Sequence, residues 1–244
     1  MATVQRDARG PESPTTDDAA ATDESLSRGR FLRNVGGGGL LAAMSFVAVA
    51  CGDDDDTKTA ATTTAATTTT TSAASGDIAI VNYALTLEYI EADFYQQAID
   101  SGELKDAKVL ELAKHIGDTE QQHVDALKAT VEKLGGTAAE QPKTAFESTL
   151  SGGQMKILET AATVENLGAA AYLGQAGAIK DKEILAAALA IHSVEARHAA
   201  ALNQLIGRGF KGDGRLSGSV PDGAFGAPMS MDDVLAAVKP FLAA

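Results

Sequence analysis

Two short units in this chain pair a carboxylate with an imidazole at a spacing that a helix turns into one site, Glu120 with His123 and Glu195 with His198. Residues three apart on a helix share one side of the axis, so each Glu-x-x-His unit aims both side chains at one place. Two further glutamates, Glu88 and Glu165, stand on apolar stripes of their own. The four segments match one another in pairs. Glu88 precedes Tyr95 and Glu165 precedes Tyr172, and Glu120 follows Glu88 much as Glu195 follows Glu165. The chain reads as a degenerate repeat in which each half brings one Glu and one Glu-x-x-His.

Ionised groups on core faces are costly unless something compensates them. Four carboxylates and two neutral imidazoles balance two divalent cations, so such a site is neutral when filled and strongly repulsive when empty. The ligand set expected for two metal ions is therefore Glu88, Glu120, His123, Glu165, Glu195 and His198. Oxygen-rich, thiol-free ligands suit iron or manganese better than copper(I) or structural zinc. Several neighbours fit less well. Glu91 has only Gly168 as its counterpart in the repeat, and reads as a solvated carboxylate or one standing beside the ligands. His192, whose counterpart is Gly117, reads as packing or support for the ligands; His115, turned away from Glu120, reads as a surface residue. Tyr95 and Tyr172 read as core residues at heptad spacing.

The elements that must hold these residues follow from periodicity. From Asp77 to Ile206 there is one proline, Pro142, and apolar residues recur at three and four residue spacing in four long blocks, which argues amphipathic helices. The blocks run from about Ile78 to Ser101, Leu104 to Leu134, Gly153 to Gly177 and Asp181 to Ile206. Breaks at Gly102 and at 178–180 are short, so blocks one and two, and blocks three and four, form antiparallel pairs. The connection from Gly135 to Gly152 is long enough to cross the whole bundle. The expected fold is all-α, an antiparallel four-helix bundle over 77–207 with one long crossover. Residues 208–244 form a tail with a short helix near Met231 to Lys239, which Ser230 is placed to cap, and Phe210, Phe225 and Phe241 are expected to pin the tail to the bundle.

The region before the bundle reads as an address. Arginines in RGRFLR precede a Gly- and Ala-rich apolar run, Val35 to Ala50, that is too short for a transmembrane helix and has the layout of a secretion signal over residues 1–50. SRGRFLR resembles the twin-arginine export pattern, with Gly29 interrupting the arginine pair, and AVAC resembles a bacterial lipobox ending at Cys51. Lipidation at Cys51 is expected, followed by a Thr- and Ala-rich tether over 51–76 that should stay disordered. The expected location is the outer side of the cell membrane. A net charge of −13 disfavours nucleic acid as a partner, and a single cysteine excludes an internal disulfide framework, thiolate zinc and a rubredoxin centre.

The segments NYALTLEYIEADFY (Asn82 to Tyr95), TEQQHV (Thr119 to Val124), VENLGAAAY (Val164 to Tyr172) and VEARH (Val194 to His198) resemble the ferritin-like superfamily. Within it they resemble the bacterial ferritin-like domain family that also includes plant desiccation-related proteins, and the tail from Val220 to Leu242 is similar to that family's ending. The resemblance implies the ligand roles already given to the six residues. It leaves two functions open. One is an oxidoreductase whose two Fe or Mn ions react with dioxygen or peroxide, drawing on an external electron donor. The other is a non-enzymatic metal-binding or stress- and desiccation-protective surface protein.

Overall fold

The structure, a computed structural model, describes residues 64–210, 218–220 and 223–243, with side chains from residue 74 onward. The expected signal segment and Cys51 lie outside these residues. Among the described residues six α-helices follow in chain order: α1 Thr64–Asp100, α2 Ala107–Lys133, the single turn α3 Glu147–Leu150, α4 Gly153–Gln175, α5 Lys182–Leu205 and α6 Met231–Val238, with a 3-10 turn at Lys239–Phe241. Among the described residues there is no strand, only an isolated bridge between Thr144 and Leu242. None of the described helices is long and apolar enough to cross a membrane.

Helices α1 and α2 form one antiparallel pair and α4 and α5 the other, as the short breaks require. Each pair turns on the same chemistry. Gly102 stops the first turn with φ 66°, a conformation that costs glycine nothing. The second helix of each pair is then capped by an aspartate, Asp106 accepting from the amides of Lys108 and Val109, and Asp181 from those of Glu183 and Ile184. Asp77 holds the two pairs together at one end. Its buried carboxylate accepts from the amides of Lys180 and Asp181 at 2.9 and 2.8 Å, so α1 fixes the α4–α5 turn.

The crossover runs the length of the bundle beside α1. Near its start Asn82 donates to the Thr137 carbonyl and accepts from the Ala139 amide. Further along, Thr144 donates to Asp93, and Phe146 packs edge-on against Phe94. Sequence expectation and structure agree on this connection, except that it contains the short helix α3.

Two expectations need correction. Helix α1 begins at Thr64 and not near Ile78, so the second half of the segment 51–76, expected to be a disordered tether, is helical. Absence of an apolar pattern does not forbid a helix that grows back from a packed nucleus, because each added residue gains a hydrogen bond without a new nucleation cost. The tail is also held differently. Phe210 and Phe225 are 72% and 91% exposed and pin nothing. Phe241 stacks on Phe146, Val234 and Val238 are buried, and the Met229 amide donates to the Ala170 carbonyl against Gly174, where any side chain would collide with the Met229 carbonyl. Ser230 caps α6 as expected.

Candidate metal centre

All six residues singled out by spacing meet in the middle of the bundle. Glu88, Glu120, Glu165 and Glu195 are 0% exposed, and His123 and His198 are buried beside them. They form two overlapping groups, each with ligand atoms within 4.8 Å of one another. One is Glu88, Glu120, His123 and Glu195; the other is Glu120, Glu165, Glu195 and His198. Glu120 and Glu195 belong to both.

The pseudo-twofold relation extends to single atoms. Each terminal glutamate turns one oxygen to the histidine of its own helix pair, with Glu88 Oε2 3.2 Å from His123 Nδ1 and Glu165 Oε2 3.2 Å from His198 Nδ1. The other oxygen accepts a hydroxyl from the opposite pair, Tyr172 donating to Glu88 at 2.5 Å and Tyr95 to Glu165 at 2.6 Å. The tyrosines expected to be plain core residues therefore hold the glutamates in place. The signal lay in the sequence, in the seven-residue interval that both halves keep, because two turns bring the hydroxyl level with the partner helix's carboxylate.

The shared glutamates are less well provided for. His123 Nδ1 lies 3.2 Å from Glu88, 2.9 Å from Glu120 and 3.0 Å from Glu195, and His198 Nδ1 lies 2.9 Å from Glu120 Oε1. One N–H cannot serve three carboxylate oxygens. Glu120 Oε1 and both oxygens of Glu195 accordingly lack an aligned hydrogen bond, although nitrogen stands near two of them. Buried carboxylate oxygens without donors carry a full desolvation cost. A divalent cation in each group would relieve it, and the donor set of four carboxylates and two imidazoles suits such a cation. The residues present thus fit a metal site.

Without metal, Glu120, Glu195 and both histidines hold their protons more tightly than usual. Burial, then the charge of Glu165, pushes Glu120 up to about 7; burial and the charges of Glu120 and Glu88 raise Glu195 well above the usual carboxylate range. Burial acts to lower both histidines, but the surrounding carboxylates outweigh it, holding His198 up at about 9 and His123 higher still. Tyr95 and Tyr172 are raised by burial and by the glutamates they serve, so both remain hydroxyl donors.

The neighbours divide. His115 is exposed, and His192 is partly buried with Nδ1 against the Ala169 carbonyl, both as expected. Glu91 is not solvated. It is 3% exposed, with Oε2 lacking any partner and a carboxyl raised by burial and by the charge of Glu195. Comparison of repeats argued against it because its counterpart is glycine. That glycine is the reason it fits: a Cβ on Gly168 would lie 2.8 Å from Glu91 Oε1.

Apolar residues line small cavities beside the two tyrosines. A cavity of about 30 Å³ touches Tyr172 among Val81, Ala84, Leu127 and Ile191, and one of about 10 Å³ touches Tyr95 among Ile116, Leu158 and Leu202. These volumes suit only a very small molecule. No curated protein matches the chain. Residues 76–208, which take in α1 from Gly76 onward, the other three long helices and the crossover, match the ferritin-like domain family. With two antiparallel helix pairs, one crossover and a Glu/Glu-x-x-His set from each pair converging on one buried cluster, the chain belongs to the ferritin-like family.

Proposed function

We propose that this protein is an exported, lipid-anchored metalloprotein that holds two Fe or Mn ions and reacts with dioxygen or peroxide. The observation that carries the reading is the pair of buried groups sharing Glu120 and Glu195, of whose carboxylates Glu120 Oε1 and both Glu195 oxygens lack an aligned donor. Glu88 with His123 would hold one ion and Glu165 with His198 the other, with Glu120 and Glu195 spanning both. Bound Fe or Mn would supply the electrons that reduce a small oxidant.

The rest is work for the chain's own side chains. Tyr95 and Tyr172 hold one oxygen of each terminal glutamate and orient the other, a role whose loss elsewhere costs about 10- to 100-fold in metal affinity. The apolar lining around the tyrosines leaves room beside the site only for a small molecule, of about two non-hydrogen atoms. A single cysteine, placed at the expected anchor, leaves no thiolates for an internal iron-sulfur relay, so electrons would come from outside the chain.

Metal analysis of protein purified from its own host should find two Fe or Mn per chain. Stopped-flow mixing of Fe(II)- and Mn(II)-loaded protein with oxygen and with peroxide should then show metal-dependent consumption. Oxygen release from peroxide would mark a catalase-like reaction, and iron oxidation without it a ferroxidase or peroxidase. Two bound ions with no consumption of either oxidant would sink the redox reading in favour of a protective, non-enzymatic one.

The anchor rests on the sequence alone, on small residues before Cys51 and a Thr- and Ala-rich stretch after it. Cys51→Ala is expected to move the protein from the membrane to the soluble fraction with its helix content unchanged. Unaltered membrane partition together with an unmodified mature N-terminus would refute lipidation.

A further inference from the structure

The site contains one more carboxylate than two divalent ions require. Glu91 lies one helical turn beyond Glu88 on α1, and it is as buried as the residues around it. Its Oε2 has no hydrogen-bond partner, and among the described residues no lysine or arginine pairs with it. A buried carboxylate in that condition is expected to have a cation to serve.

The direction in which it faces is set by Gly168. This residue lies one turn beyond Glu165 on α4, the position matching Glu91 in the repeat. The point where a Cβ would stand is 2.8 Å from Glu91 Oε1 and 3.4 Å from Glu195 Oε2. Glu195 thus divides its two oxygens. Its Oε1 faces His123, while its Oε2 shares with Glu91 the space that Gly168 leaves open beside Glu165. Glu91 therefore leans from α1 across the bundle toward α4, the helix that carries Glu165. A glutamate at 168 would need the same space, so the fold admits one such residue and not two.

We propose that Glu91 is a seventh metal-binding residue, a fifth carboxylate given to the ion of the Glu165–His198 half, so that the two metal positions are unequal. The inference rests on the reading of the cluster as a two-metal site and deepens it. Five carboxylates and two neutral imidazoles leave one negative charge on a pair of divalent ions. That charge sits at one position and strengthens the hold on its ion.

Anaerobic titration of the full-length protein with Mn(II), counted by the electron paramagnetic resonance of the free ion, tests this. The parent should bind two ions in unequal steps. Manganese-edge anomalous diffraction at one equivalent should place the first ion in the Glu165–His198 half. Glu91→Gln keeps the shape and removes the charge, and Gly168→Ala leaves every carboxylate present but takes the space Glu91 occupies. Each should weaken the tighter step by about tenfold or more and leave the weaker step within a few fold. Parent affinities in either variant, or a first ion in the Glu88–His123 half, would overturn the role of Glu91 alone. A parent that takes up fewer than two ions would overturn the two-metal reading and this inference with it.

Discussion

Glu195→Leu protein is expected to bind neither ion of the pair and yet, without metal, to be more stable than the parent, by about 1 to 4 kcal/mol. The two effects come from one feature. Glu195 belongs to both groups of converging residues, so its loss removes a carboxylate from each position at once. In the metal-free bundle the same side chain is a liability, since it is 0% exposed and neither oxygen has an aligned hydrogen bond. Leucine has a similar volume and needs no partner, and His123 retains Glu88 and Glu120 as neighbours. Glu88→Ala gives a contrasting result. Glu88 occurs in one group only, so this variant should lose the ion of its own half and keep the other. Elemental analysis after equilibration with Mn(II) and urea denaturation in excess chelator read the two effects separately. A Glu195→Leu protein that still holds two ions would show that Glu195 does not span the site, and one less stable than the parent without metal would show that its buried carboxyl is no liability to the empty bundle.

Much of this arrangement was visible in the residues. Helix-forming periodicity and glycine breaks placed the four long helices, and three-residue spacing on core faces identified Glu120, His123, Glu195 and His198, because a helix converts that spacing into a shared direction. Glu88 and Glu165 followed from matching the two halves. That matching failed where the halves differ for a tertiary reason. Glu91 has a glycine counterpart because one side chain fills the room of two, and only the approach of α1 to α4 reveals it. Tyr95 and Tyr172 were legible as a repeated interval, but their function depends on crossing to the opposite pair, which spacing within one helix does not encode. The exposed Phe210 and Phe225 show the weakness of hydrophobicity as a guide outside periodic segments. The reaction is least legible, since one fold carries many chemistries and the ligands alone admit both iron and manganese.

Metal-free and metal-loaded protein are expected to respond to pH with opposite slopes. In the metal-free bundle Glu120 is raised by burial and the charge of Glu165 from an ordinary 4.5 to about 7. His198, despite burial, is held by Glu120 and Glu165 at about 9 against an ordinary 6.5. Each group binds its proton more tightly in the folded chain than in the unfolded one. Where the folded state carries more protons, stability falls as pH rises. For Glu120 that window runs from its unfolded value up to its folded one; its penalty is absent in acid and complete above about 7. For His198 the stabilising contribution is whole below 6.5 and gone once pH has passed about 9. The two windows adjoin, so the melting temperature in chelator should fall continuously from about pH 5 to pH 9. Metal reverses the sign, because ions occupy the places of these protons and binding must expel them. With Mn(II) in excess the melting temperature should rise over the same range, and mixing metal with protein at neutral pH in weak buffer should acidify the solution. Thermal unfolding at a series of pH values, with chelator and with Mn(II), decides the matter. Parallel slopes would mean that the protons and the metal do not compete for Glu120 and His198, and the cluster would lose its claim to be a metal site.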